Sequence, residues 1–165
     1  MIFTSQSGLS DPDREPEWDR WYAEHLRVMV TVPGITSAQR FKTTSPGHPP
    51  SLAMYSVASA AVFLDPYYQS VRGMGHWLPL IEKRHYRRNL FEGLDAAPVV
   101  PDDGVLIVAD RPDTTALPGL AVTWLTAVGL DRSTPYRGIA VVSPAVAAGH
   151  GVAVYRPVSA RIVPG

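Results

Sequence analysis

Sixteen prolines and thirteen glycines are spread along 165 residues, and no other feature limits the fold as tightly. Proline removes a backbone donor and clashes inside a helix, while glycine weakens the interiors of helices and strands. Regular elements must therefore be short except where both residues are absent. After Pro16 both are absent until Pro33-Gly34, and the spacing in between is helical. Trp18, Trp21, Tyr22, His25, Met29 and Val32 recur at intervals of three and four, with Arg20, Glu24 and Arg27 on the opposite side. This predicts an amphipathic helix over 16–32, started by Ser10-Asp11-Pro12-Asp13 and stopped by Pro33-Gly34. His25 falls in the middle of the stripe, facing a sheet.

Around that helix the chain divides into short segments. Strands are expected at 1–6, 35–42, 52–57 and 86–94. Helical pieces are expected at 60–64 and 66–71, the second capped by Asp65 with Pro66 at its first position. The stretch 73–79 reads as irregular. The order β-α-β-β-α-β is the ferredoxin-like unit. A linker at 97–104 follows, then a strand at 105–109, a weak helix at 119–128 and strands at 138–142 and 152–155. A strand stub is expected at 160–163. Met1-Ile2-Phe3-Thr4 matches Leu106-Ile107-Val108-Ala109, and Leu52 to Val57 matches Val152 to Pro157, as in a degenerate repeat. The expected class is α+β: a ferredoxin-like βαββαβ half over 1–96, the linker, and a shorter βαββ half over 105–165, packed sheet to sheet within one chain.

Charge and cysteine content narrow the function classes. Fifteen basic residues balance fifteen acidic ones, so electrostatics gives no reason to expect nucleic acid or an anionic membrane as partner. The basic run Lys83-Arg84-His85-Tyr86-Arg87-Arg88 reads as a solvated strand edge. The absence of cysteine excludes thiolate nucleophiles, disulfides and cysteine metal sites. No P-loop, dinucleotide fingerprint or closely spaced histidine pair occurs. The expectation is a cytoplasmic protein that works on a small molecule without a tightly held cofactor or metal, with a homodimer possible.

The run Glu17-Trp18-Asp19-Arg20-Trp21-Tyr22-Ala23-Glu24-His25-Leu26, then Val32-Pro33-Gly34-Ile35, then Ala38-Gln39-Arg40-Phe41 carries a resemblance. So do Leu52-Ala53-Met54-Tyr55, Asp65-Pro66-Tyr67-Tyr68 and Arg88-Asn89-Leu90-Phe91. Together they resemble the EthD-like branch of the dimeric α+β barrel superfamily, over residues 1–95. The chain departs from that pattern in its second half and in a first strand with little polar chemistry. The resemblance implies a barrel closed by a partner chain or by the second half. It also implies reactions ranging from ring-cleavage and lactone isomerisation to decarboxylation and cofactor-free oxygenation of phenols.

Several residues could carry such chemistry. Burial would keep the His25 imidazole neutral and suited to general-base work, although a core histidine satisfied by a carbonyl would look the same. Tyr22, its neighbour, could donate to an enolate oxygen. His76 in the 73–79 segment is a second acid–base candidate, beside Trp77. Arg40 and Arg88 could each hold a carboxylate through a guanidinium fork, Arg40 being slightly favoured, and Tyr55 and Trp21 could line the pocket. Strand parity groups Ile35, Ser37 and Phe41 apart from Ala38 and Arg40. His48 and His150 fall in exposed hairpin loops. The leading expectation is a cofactor-independent isomerase or lyase, moving a proton beside a carbonyl in a small carboxylated or enolic metabolite. The alternatives are a cofactor-free oxygenase of phenols and a non-enzymatic ligand-binding protein.

Overall fold

The computed structural model describes residues 1–147 and 151–165. Strand β1 (Ile2–Ser7) leads through a 3-10 turn into α1 (Glu15–Met29), then β2 (Ile35–Lys42) and β3 (Ser51–Val57). A second 3-10 turn, α2 (Pro66–Val71), two more 3-10 turns at Gly75–Leu80 and Lys83–His85, and β4 (Arg87–Glu92) complete the first half, so the stretch expected to be irregular at 73–79 is mostly a 3-10 turn. Asp65 Oδ1 accepts from the backbone N–H groups of Tyr67 and Tyr68, so the expected cap forms. Between α1 and β2 the chain turns on Gly34, at φ +87°, where a Cβ would meet Val62 Cγ2 at 2.7 Å. The β-α-β-β-α-β order is present.

The second half contains β5 (Val105–Arg111), β6 (Thr123–Leu130), β7 (Tyr136–Val142), the short α3 (Pro144–Ala147) and β8 (Ala153–Pro157). The helix expected at 119–128 is therefore a strand. Leu120, Trp124 and Val128 recur every fourth residue, which mimics a helical stripe. The backbone there is instead taken up by ladders to β7 on one side and β4 on the other. Residues 112–122 cross from β5 to β6 without any helix.

All eight strands close into an antiparallel barrel in the order β1-β3-β2-β8-β5-β7-β6-β4. The halves contribute β4-β1-β3-β2 and β8-β5-β7-β6, the same permutation shifted by four strands. This corrects the repeat alignment: β3 corresponds to β7, and 152–157 supplies the counterpart of β4. The second half thus keeps its last strand and loses its first helix. Residues 160–163 form no strand, although Ile162 makes an isolated bridge with Ala38. Two seams join the halves within the one chain, β2 with β8 and β4 with β6.

The barrel interior is filled. Ile2, Phe41, Leu52, Phe91, Leu106, Leu125, Ile139 and Tyr155 pack at its centre, as expected for an eight-stranded barrel. Near one end Arg137, 1% exposed, donates to both oxygens of Asp110, to Thr4 Oγ1 and to Gln6 Oε1. Gln6 in turn donates to Tyr155, whose hydroxyl donates to the Pro49 carbonyl. Elsewhere in the interior the connection expected to be a free linker packs inward through Ala97 and Val100, held by Ser56 and Gln39. A functional cavity must therefore lie outside the barrel.

A bulge between Ile35 and Ser37 shifts the alternation of β2. Ile35 joins Ala38 in the cluster under α1, while Phe41 enters the barrel core, so the expected grouping of Ile35 with Phe41 is corrected. Among the described residues no helix is long and apolar enough to cross a membrane.

Candidate functional site

Strand alternation sends Phe3, Tyr55, Arg88 and Leu90 to the outer face of the first sheet, beneath α1 and α2. From α1, the side chains Trp18, Tyr22, Leu26 and Met29 are buried against that face. His25 sits at the margin of this stripe and not in its middle, because Leu26 takes the central position. Between sheet and helices a small chamber remains, with room of about 20 Å³, enough for one water. Phe3, Ser5 and Tyr55 form its floor, Tyr22, His25 and Met29 one wall, and Tyr68, Met74, Tyr86 and Arg88 the other side.

Aromatic packing fixes the floor. Phe3 and Tyr55 are cross-strand partners whose rings stack at 5.1 Å, and Phe63 meets Phe3 edge-on at 5.1 Å. Burial raises the Tyr22 phenol, which Arg40 and the Ser5 and Ser7 hydroxyls partly offset. Burial also raises the Tyr55 phenol well above its ordinary value. Both hydroxyls therefore stay protonated at neutral pH and can donate. His25 is half-buried and stacks on Trp21. Burial lowers its pKa to about 4, so the imidazole is neutral and one ring nitrogen can accept a proton.

Of the candidates, His25, Tyr22, Tyr55 and Arg88 share this chamber. Trp21 lies behind His25, and the exposed His76 meets Trp21 edge-on at 6.3 Å. Trp77 is buried under the Arg14 guanidinium, 4.8 Å from its ring centroid. Arg40 is on the helix-facing side but outside the chamber. Its guanidinium packs on the Trp18 and Tyr22 rings and donates to Asp19 and Ser51. His48 is half-buried in the β2–β3 loop, and His150 lies outside the described residues.

Ser5, Tyr68, Arg72, Met74 and Tyr86 were missed as site residues. Alternation along β1 could have found Ser5, opposite in parity to Thr4 and Gln6. The glycines of 73–79 point to a segment that lines a site, but the sequence does not say that Met74, and not His76 or Trp77, is the side chain that reaches the chamber. Among the described residues, no three His, Asp or Glu side chains gather to hold a metal ion.

Comparison with known proteins gives a narrow result. No family model matches the chain, and no curated protein does. A crystal structure of a putative monooxygenase from Lactobacillus acidophilus NCFM superposes with a TM-score of 0.58, covering 99% of each chain at 10% identity. The likeness is one of fold. It extends over both halves, so that protein shares the whole arrangement and not only the first sheet.

Proposed function

We propose that the chamber beside His25 oxygenates a phenol with dioxygen, using no resident cofactor. The observation that carries this reading is a neutral imidazole facing a cavity walled by Phe3, Tyr22 and Tyr55. A phenol in such a cavity donates a hydrogen bond to His25, which takes the proton as the ring gives up an electron, so that no free phenolate has to form first. One electron passes to dioxygen, and the radical pair combines at the ring carbon opposite the oxygen. The peroxide then loses water: the ring C–H proton departs, the O–O bond breaks, and the proton held by His25 completes the water. The sum is phenol plus dioxygen giving quinone plus water, which balances without another reductant. The Tyr22 and Tyr55 hydroxyls stabilise the developing peroxide oxygen. The fold shared with a putative monooxygenase supports the same direction.

A proton-transfer reaction of isomerase or lyase type would draw on the same His25 and Arg88, and it is the fold shared with a putative monooxygenase that favours oxygenation over it. In family terms, the reading places the chain beside the dimeric α+β barrels, with its second half standing in for a partner subunit. Oxygen uptake and ¹⁸O₂ incorporation, measured over a panel of phenols with and without air, test the reaction. Labelled quinone formed only in air supports it. Absence of oxygen uptake across the panel, or equal turnover without air, overturns it.

A further inference from the structure

Outside the chamber lies an open groove of about 430 Å³. The two spaces share Arg72, Gly73, Met74, Tyr86 and Arg88 as common wall. Among the described residues no carboxylate lines either space, although the chain as a whole is balanced in charge. Arg72 spends only its Nε, on Gln69 Oε1, and the Arg88 guanidinium makes no ion pair among the described residues. Both arginines line the chamber as well as the groove, and Tyr68 lines the chamber with them. Two unpaired cations at the mouth of a low-dielectric cleft focus a positive field there. The remaining walls are Gln69, the glycine backbone on either side of Met74, and the apolar or aromatic Leu78 and Tyr86.

Met74 divides the two spaces. It is 4% exposed, lines both, and stands between Gly73 at φ +91° and Gly75 at φ +52°. An unbranched thioether can change rotamer with little cost, and flanking glycines let its backbone follow. As it stands, the chamber is too small for an aromatic ring, so a substrate ring must displace this side chain.

We propose that the substrate is an aromatic carboxylate, specifically a phenol bearing a carboxylate, and that the groove is its anion-binding subsite. Arg72 and Arg88 take the carboxylate beside Tyr68, the ring displaces Met74, and the phenol end reaches His25. The inference rests on the site proposed above, and it adds the charge of the substrate and the residues that select it.

Binding tests it separately from turnover. The purified protein is titrated with 3-hydroxybenzoate, whose ring carbon opposite the hydroxyl keeps its hydrogen, and with its neutral isostere 3-hydroxybenzamide, followed by tryptophan fluorescence, since Trp21 stacks on His25. The acid should bind about tenfold or more tightly than the amide, the size of one charge-assisted hydrogen bond, with the preference shrinking as salt rises. Arg88→Gln and Arg72→Gln should each reduce that preference, weakening binding of the acid more than binding of the amide. Met74→Ala should strengthen binding of both probes. Equal binding of acid and amide overturns the proposal, as does a preference that survives in the double arginine variant, or no binding of either probe at millimolar concentration. Acid-selective binding without oxygen uptake would sustain the subsite and overturn only the oxygenase reading. Oxygen uptake with neutral phenols and no acid preference would do the reverse.

Discussion

Trp21 lies flat against His25, with ring centroids 4.8 Å apart and planes 11° from parallel. One face of the imidazole is thereby shielded from water, and Tyr22 meets the same ring edge-on at 6.0 Å. The packing both orients the base and depresses its pKa, because an imidazolium there would lose hydration and gain no carboxylate in exchange.

That depression has a consequence for stability. The folded pKa of about 4 lies below the ordinary value of 6.5, so the unfolded chain takes up the proton first as pH falls. The contribution of His25 is fully present above pH 6.5 and is lost progressively down to about pH 4. Denaturant unfolding across this window should show stability falling with acidification, and His25→Gln should flatten the slope. The same variant should lower turnover by about 10²–10⁴, the usual contribution of a general base. Turnover within threefold of the parent chain would leave His25 a packing residue.

Arg40 and Arg88 should separate cleanly under substitution. Arg40 is 3% exposed, sandwiched by aromatic rings and paired with Asp19 at 2.8 Å. Arg40→Lys forfeits the stacking and the Ser51 bond, and should cost about 1–3 kcal/mol of stability with KM unchanged. Arg88→Lys should raise KM for the carboxylated substrate with little loss of stability. Steady-state kinetics and denaturant titration on both variants distinguish them, and a large KM effect at Arg40 would contradict this assignment.

Arg137 is the largest polar investment of the barrel interior. Arg137→Met would leave the part-exposed Asp110 without its cation and Thr4 and Gln6 without their donor, and should destabilise by about 1–3 kcal/mol. Adding Asp110→Asn should recover part of that loss. A single variant with unchanged unfolding midpoint would mean that the network contributes no net stability.

Gly93 ends β4 at φ +121°, and a Cβ there would come within 2.9 Å of the Trp124 carbonyl on β6. Gly93→Ala therefore combines backbone strain with a clash against backbone, and should cost about 1–3 kcal/mol. Differential scanning calorimetry should record a lower Tm, with the seam between β4 and β6 opening first in hydrogen exchange.

By itself the sequence determined the first half. Proline and glycine set the boundaries, the three-and-four spacing after Pro16 set α1, and Asp65-Pro66 set the start of α2, all through interactions within a few residues. The apolar stripe also put Tyr22 on the face that meets the sheet, with His25 at its margin. In the second half the strands at 105–109, 138–142 and 152–155 were legible too, but only the tertiary structure decided β6, a strand because β4 and β7 supply its hydrogen bonds from 30 or more residues upstream and from the strand that follows. The bulge after Ile35, which sends Ile35 and Phe41 to opposite faces, likewise depends on pairing with β3. The same limit applies to the site. Arg40 and Arg88 look alike as isolated arginines, but Asp19 on α1 meets one, while the chain from Tyr68 to Met74 folds beside the other. Which arginine is free was therefore fixed by long-range contacts that no local pattern records.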